Sequence, residues 1–140
     1  MVGSFLLLTL TAAIGQELAA PEGVVRRFVA AFNAQDVEAM LALASPDIAW
    51  FSVSGSTLAV EARGHQALGS GMSSYFQGLP SAQSELVSVA TTGSFVSAVE
   101  KASWTLEGQR ESQCSLVVYE VAEGRVRHVW YHAAHPCEGP

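Results

Sequence analysis

Basic residues are scarce in this sequence. Seven lysines and arginines stand against thirteen aspartates and glutamates, which gives a formal net charge of -6 over 140 residues. A chain with so few cations lacks the basic surface that binds nucleic acids or anionic membranes. The sequence also has no glycine-rich phosphate loop and neither the CxxC nor the HExxH spacing of common metal sites. We therefore expect no nucleic-acid partner, no bound metal and no cofactor.

No apolar run in the sequence reaches the ~20 residues that a membrane-spanning helix needs. The stretch over residues 5–14 has instead the length of the hydrophobic core of a signal peptide. Ala13 and Gly15 provide the small side chains that a signal peptidase recognises before its cleavage site. We therefore predict a signal peptide over residues 1–15 and one domain over residues 16–137. The protein would be secreted or periplasmic, and free of the membrane after cleavage. Because no lysine or arginine precedes the apolar run, a buried N-terminal helix is the alternative.

The N-terminal half carries the spacing of amphipathic helices. Pro21 suits the first turn of a helix, whose apolar face follows the i, i+3, i+4, i+7 pattern with Val25, Phe28, Val29 and Phe32. Asp36 can cap a second helix, which ends before Pro46. The apolar residues that this helix buries are Val37, Met40, Leu41 and Ala44. A third helix over residues 65–80 contains Gly69 and Gly71, and each costs ~1 kcal/mol relative to alanine. We therefore expect this third helix to be short or irregular.

Strand signals separated by glycine turns dominate the rest of the chain. DIAWFSVSG and STLAVEARG precede the third helix. SAQSELVSVATTG, SFVSAVEKASWTLEG, QRESQCSLVVYEVAEG and RVRHVWYHAAHP follow it as three consecutive hairpins. Helices first and a long antiparallel sheet afterwards predict an α+β fold.

Residues 22–135 resemble the nuclear transport factor 2-like superfamily, in particular its SnoaL-like branch. The resemblance rests on the order of elements and on three motifs: VRRFVAAFNAQDVEAMLALASPDIAW, ARGHQAL and EGRVRHVWYHAA. It implies a cystatin-like cone, in which a curved antiparallel sheet packs on three N-terminal helices and a pocket opens at one end. It also implies a homodimer through the outer face of the sheet.

The last hairpin decides which side chains face that pocket. With a turn at Glu123-Gly124, regular alternation places one set of side chains on one face, namely Val126, His128, Trp130 and His132. The other face receives Arg127, Val129 and Tyr131, and a bulge would reverse the assignment beyond it. In the family the closing motif reads aromatic-aromatic-acid, with the acid in the pocket. The resemblance therefore implies that His132 takes the position of the acid.

The histidines of this strand do not form a metal site. His128 and His132 are four residues apart, which is ~13 Å along a strand. Ligands of one zinc ion lie much closer together. Histidine titrates near neutral pH and is suited to moving protons. We treat His132 as a candidate acid–base residue, with a backbone-bonded histidine at the strand end as the alternative.

Glu100 is the second candidate catalytic residue. It shares one side of its strand with Val96, Ala98, Ala102 and Trp104, so it is a single acid on a largely apolar face. A carboxylate in such a place needs a partner or a raised pKa. The alternatives are an ion pair near the rim and plain exposure to water. We predict a ligand pocket lined by Phe28, Phe32, Trp50, Trp104, Tyr119, His128 and Trp130.

The two cysteines allow one disulfide. An exported protein would keep it, whereas a cytosolic protein would hold both thiols reduced. The predicted strand pairing places Cys114 opposite Ala133, so the chain has to fold back after Pro136 to bring Cys137 near. We hypothesise a Cys114–Cys137 disulfide.

Two known mechanisms of the family do not fit the acids of this chain. Ketosteroid isomerases use an aspartate base and an oxyanion hole built by a tyrosine and a protonated aspartic acid, and an epoxide-opening branch uses an Asp-Arg-Asp set. The chain has only two aspartates, Asp36 and Asp47, at a helix cap and a strand start. The polyketide-cyclase branch, in which a histidine and an acid promote an aldol-type closure, is the most similar.

Two classes of function follow. The first is a domain that binds a small hydrophobic ligand without an intact catalytic set. The second is an isomerase-like or cyclase-like enzyme that moves a proton on an apolar carbonyl compound with His132 and Glu100.

Overall fold

The structure, a computed structural model, describes residues 20–137. The signal peptide predicted over residues 1–15 lies outside the described residues. Within the described part of the chain, no helix is long and apolar enough to cross a membrane. Helices come first and the larger part of the sheet follows, which is the α+β order expected from the sequence.

Two short-range signals position the first helices, α1 (Pro21–Asn33) and α2 (Val37–Ala42). Pro21 begins α1, and the side chain of Asp36 caps α2 by accepting a hydrogen bond from the Ala39 N–H at 3.0 Å. The prediction that Ala44 belongs to α2 is wrong, because β1 begins there. The carbonyl of Leu43 already accepts a hydrogen bond from the Val126 N–H at 2.8 Å, and this tertiary bond ends the helix.

Helix α3 (Gly64–Gly78) has 15 residues. The prediction of a short or irregular helix was therefore wrong, and tertiary packing explains why. A Cβ atom on Gly69 would lie 3.3 Å from Cδ1 of Leu41, so this glycine lets α3 pack closely against α2. Burial of Leu68 and Phe76 on the same helix compensates for the low helix propensity of its glycines.

Within residues 20–137, six strands form one unclosed sheet in the order β2-β1-β6-β5-β4-β3. The strands are β1 (Ala44–Ser54), β2 (Thr57–Arg63), β3 (Gln83–Thr92), β4 (Phe95–Leu106), β5 (Gln109–Ala122) and β6 (Arg125–His132). The antiparallel meander predicted for the second half is present as β3 to β6. The pairing of β1 with β6 is parallel and joins the first hairpin to the meander.

A bulge in β6 changes which side chains point inward. Val121 pairs with Val126, but the next pair is Glu120 with His128, so Arg127 is an extra residue. Val126 and Val129 are both fully buried although they are three residues apart, which a regular strand does not allow. Further register shifts occur in β1 and β3. Bulges bend a sheet, and this one curves around the helices.

The core lies between the inner face of the sheet and the helices. Its fully buried side chains come from both layers: Val24, Val25, Phe28, Met40, Ile48, Leu68, Val96, Val117, Tyr119, Val126 and Val129. Along β4, Val96, Ala98 and Glu100 point into this layer, so Glu100 is a carboxylate on the core side of the sheet.

The disulfide predicted between Cys114 and Cys137 is present. The bulge in β6 shifts the pairing by one residue, and a second one-residue shift follows after Tyr131, so Cys114 pairs with His135 and not with Ala133. Two backbone hydrogen bonds of 2.9 and 2.8 Å join Cys114 and His135. The C-terminal segment is thereby fixed along β5.

Candidate functional site

A cavity of about 260 Å³ opens between the helices and the inner face of the sheet. Its walls are mainly apolar and aromatic, and its polar groups are few. The lining residues are Phe28, Val29, Phe32, Trp50, Met72, Tyr75, Ser84, Glu100, Ala102, Gln113, Ser115, Tyr119 and Tyr131. Helices α1 and α3 form one side of the cavity, and strands β1 and β3 to β6 form the other.

Glu100 is the polar centre of the cavity. The residue is only 8% exposed. Its Oε2 accepts a hydrogen bond from the Tyr119 hydroxyl at 2.8 Å, and its Oε1 accepts a short hydrogen bond from the Ser84 hydroxyl. A buried carboxylate needs such donors, because burial removes the water that would otherwise solvate it. Glu100 is therefore held in one orientation and keeps further acceptor positions free.

Asn33 positions Ser84 for this contact. Asn33 is the last residue of α1. Its side chain accepts a hydrogen bond from the Ser84 N–H at 2.7 Å and donates one to the Ser84 carbonyl at 2.9 Å. This pair of bonds joins the end of α1 to β3. It fixes the backbone from which the Ser84 hydroxyl reaches Glu100.

Two tyrosine hydroxyls extend the polar centre. The Tyr119 and Tyr131 hydroxyl oxygens lie 3.3 Å apart. Burial raises the pKa of both phenols well above the usual value, and the charge of Glu100 raises it further. Both groups therefore stay protonated in the physiological range and serve as hydrogen-bond donors. Burial also raises the pKa of Tyr75, with a smaller contribution from Glu100.

Aromatic rings form the apolar wall next to these groups. Trp50 on β1 stacks on Tyr131 with ring centroids 5.2 Å apart and an angle of 6° between the planes. Phe28 on α1 contacts the rings of Trp50 and Tyr119, at centroid distances of 6.2 and 6.4 Å. Phe32 contacts Tyr75 at 5.7 Å. Rigid rings therefore surround the carboxylate on several sides.

The structure places four of the predicted pocket residues on the cavity wall: Phe28, Phe32, Trp50 and Tyr119. The candidate acid Glu100 is there too. Trp104 lies on the same side of β4 as Glu100, but it is not among the residues that line the cavity. Its position near the end of the strand places it beyond the cavity wall.

The predicted positions of His128, Trp130 and His132 are wrong. The extra residue in β6 turns all three side chains to the outer face of the sheet. There, Trp130 stacks on Phe51 at 5.7 Å, and His128 Nδ1 makes a short hydrogen bond with the Glu120 carboxylate. His132 Nδ1 lies 3.1 Å from the Leu116 carbonyl, which matches the alternative of a backbone-bonded histidine.

Tyr131 occupies the inward place that His132 was expected to take. The sequence contained a signal for this outcome, since two valines three residues apart, Val126 and Val129, cannot share one face of a regular strand. The contribution of Ser84 had no comparable signal, because serines are frequent throughout this part of the chain. His65 opens α3, and its Nε2 lies 2.9 Å from the Ala44 carbonyl, where it joins α3 to β1.

The chemistry of the cavity follows from this donor and acceptor set. Tyr119 has a single hydroxyl proton, and the hydrogen bond to Glu100 uses it. Tyr131 therefore donates to the Tyr119 oxygen, to the Glu100 carboxylate or to an acceptor on a bound molecule. Glu100 accepts hydrogen bonds or a proton. Among residues 20–137, no group of three or more histidine, cysteine, aspartate or glutamate side chains is arranged to hold a metal ion.

Known proteins with similar sequences and structures have the same α+β fold. The SnoaL-like domain family matches residues 25–132. No curated protein matches the sequence of this chain. Among solved structures, IdmH from Streptomyces antibioticus, provisionally assigned as a polyketide cyclase, has 17% identity and a TM-score of 0.68, and the match covers 82% of this chain and 91% of IdmH.

Two further structures have the same architecture. A cystatin-fold protein from Novosphingobium aromaticivorans has 20% identity and a TM-score of 0.67, with 77% of this chain and 93% of that chain covered. An NTF2-like protein of unknown function from Burkholderia pseudomallei has 17% identity and a TM-score of 0.67, with 80% and 88% covered. At these identities the similarity concerns the fold and not the reaction.

Proposed function

The chain belongs to the SnoaL-like domain family, and we propose that it binds one small, largely apolar molecule in the cavity. The observation that carries this proposal is an aromatic wall around a single buried polar centre, formed by Glu100, Tyr119 and Tyr131. Small-molecule sites combine these features in pockets of ~300–1,000 Å³. A cavity of about 260 Å³ lies at the small end, so we expect a compact ligand.

A second function, acid–base catalysis on an apolar carbonyl compound, is favoured by one observation. Glu100 is a buried carboxylate next to phenols that stay protonated. It would take a proton from the carbon beside the carbonyl, while Tyr131 donates a hydrogen bond to the carbonyl oxygen. His132 has no part in it, because its side chain is on the outer face.

Binding is tested by thermal shift with steroids, polyketide-like aromatics and other apolar carbonyl compounds. A ligand at a hundredfold excess over its dissociation constant stabilises the protein by ~2.7 kcal/mol. We expect a hit whose effect is reduced in Glu100→Gln. The matched control is Glu85→Gln, which removes the same charge from an exposed position on β3. Absence of stabilisation by every member of the panel would contradict binding of apolar carbonyl compounds.

Catalysis is tested with the carbonyl compounds that bind. In heavy water, proton abstraction would exchange the hydrogen on the carbon beside the carbonyl for deuterium, which mass spectrometry detects. We expect exchange in the wild type and in His132→Ala, and none above background in Glu100→Gln. Binding without exchange would leave the first function standing and refute the second.

We also propose that the protein is exported. The Cys114–Cys137 disulfide is compatible with an oxidising compartment, which supports this location. The predicted cleavage after Gly15 would leave Gln16 as the first residue. Mass spectrometry of the protein recovered from the extracytoplasmic fraction gives the N-terminus directly, and recovery of the uncleaved chain in the cytosol would refute export.

We further propose a homodimer through the outer face of the sheet. Four large apolar residues on this face are strongly exposed: Leu58 at 56%, Val60 at 52%, Phe95 at 41% and Leu116 at 42%. We expect light scattering to give the mass of a dimer for the wild type and of a monomer for Leu116→Glu. The control is Leu106→Glu, at a hairpin end, where the side chain is 56% exposed. A monomeric wild type would refute the proposal.

A further inference from the structure

The cavity has a negative group without a positive counterpart in its wall. Glu100 is the one acidic residue among the lining residues, and none of these described residues is a lysine, arginine or histidine. The hydrogen-bond partners of Glu100 in the structure, Ser84, Tyr119 and Tyr131, are neutral hydroxyls. Hydroxyls offset part of the cost of burying the carboxylate, but they leave its charge uncompensated.

The free acceptor positions of Glu100 determine what would complete the site. A carboxylate has about four acceptor positions, and Ser84, Tyr119 and Tyr131 use at most three of them. Hydrogen bonds between a carboxylate and a cationic donor are roughly twice as strong as neutral ones. A ligand that brings an N–H cation to Glu100 would therefore gain more than a ligand that brings a neutral hydroxyl.

The aromatic wall of the cavity also favours a positively charged ligand. Trp50, Phe28 and Tyr131 lie next to the polar centre, and Phe32 and Tyr75 complete the aromatic lining. The face of an aromatic ring attracts a cation within about 6 Å of its centre, and tryptophan does so most strongly. The rings are also apolar enough to hold the hydrocarbon part of a ligand. An anion would be repelled by the charge of Glu100.

We infer that the cavity selects hydrophobic amines in their protonated form, with the ammonium group donating to Glu100 and the hydrocarbon part against the aromatic wall. This inference rests on the proposed ligand-binding function and names the class of ligand. The amine would supply the positive charge that the lining residues lack. Neutral carbonyl compounds and alcohols would bind more weakly, and carboxylates would be excluded.

Three probes with one ring system test this selectivity: naphthylmethylamine, naphthylmethanol and naphthoate, titrated calorimetrically near neutral pH. They differ mainly in the charge of the polar group. We expect the amine to bind at least tenfold more tightly than the alcohol, which corresponds to about 1.4 kcal/mol, and the carboxylate to give no measurable heat. Glu100→Gln should remove the preference for the amine, so that the amine and the alcohol bind with similar affinity. Glu85→Gln should keep the preference.

The outcomes separate this inference from the proposed function. Equal binding of amine and alcohol by the wild type would overturn the amine selectivity and leave ligand binding in place. A preference that survives in Glu100→Gln would overturn the role of Glu100. Failure of all three probes, together with the wider panel, would overturn the binding function itself. The ratio of amine affinity to alcohol affinity, measured on the wild type, tests the selectivity even if Glu100→Gln does not fold.

Discussion

Replacing Tyr119 with phenylalanine should destabilise the protein by about 2 kcal/mol, because it removes one hydroxyl from a buried network and keeps the ring. Tyr119 is 1% exposed and donates to Glu100 Oε2 at 2.8 Å. Hydrogen bonds to charged groups contribute ~1.5–3 kcal/mol. Water cannot easily replace the lost donor, since Glu100 is itself only 8% exposed. The free energy of unfolding is measured by urea denaturation.

Two other tyrosines provide matched controls, because each change removes the same atom. Tyr75→Phe should cost less than about 0.5 kcal/mol, since this residue is 37% exposed. Tyr131→Phe should cost an intermediate amount, because its hydroxyl has a longer contact of 3.3 Å to Tyr119. If Tyr119→Phe were no more destabilising than Tyr75→Phe, the network around Glu100 would not stabilise the fold.

A double-mutant cycle assigns the effect to the correct pair. Glu100→Gln and Tyr119→Phe should be coupled by ~0.5–3 kcal/mol, as expected for residues in direct contact. Glu100→Gln and Tyr75→Phe should be additive within ~0.5 kcal/mol. Additivity in the first pair would mean that the hydrogen bond of 2.8 Å carries no measurable coupling.

Further predictions concern the ionisation of the tyrosines, the disulfide and the cap of α2. The pKa of every tyrosine in the chain is raised in the folded protein, so absorbance titration should show little tyrosinate near pH 10, where free tyrosine is half ionised. Because the unfolded chain loses these protons first, stability should be intact below about pH 10 and fall as the pH rises further. Reduction of the Cys114–Cys137 bond, which spans 23 residues, should lower the free energy of unfolding by about 3 kcal/mol in denaturant titrations; an unchanged midpoint would contradict this. Asp36→Ala should cost about 1 kcal/mol by removing the cap of α2, with Asp36→Asn as the conservative control.

Local patterns predicted most of the fold, because the residues that determine it act over short distances. The spacing of Phe28 and Phe32 identified α1, and the side chain of Asp36 identified the start of α2. Alternation along β4 identified Glu100, since β4 pairs with β5 without a register shift. The family resemblance, which rests on the order of these elements, added the curvature of the sheet and the pocket.

The polar centre was only partly predictable, because bulges depend on tertiary curvature. Arg127 is an extra residue in β6, and its insertion places Tyr131 in the cavity. Ser84 reaches Glu100 because Asn33, more than fifty residues earlier, fixes the backbone of β3. The spacing of Val126 and Val129 is a local signal for the bulge, but the local sequence does not indicate the contact of Ser84. Both the bulge and this contact depend on how the helices meet the sheet.

The bulge in β6 can be tested by measuring the free energy of unfolding of two variants. A bulged strand predicts that Val129→Ala is the more destabilising substitution, whereas a regular strand predicts that His132→Ala is. In the bulged strand Val129 is fully buried, so Val129→Ala removes the equivalent of two methylene groups from the core and should cost about 2 kcal/mol. His132→Ala should change stability by less than about 0.5 kcal/mol, since its ring lies on the outer face. Urea denaturation of both variants distinguishes the cases. A large cost for His132→Ala with a small cost for Val129→Ala would mean that β6 is regular and that His132, not Tyr131, faces the cavity.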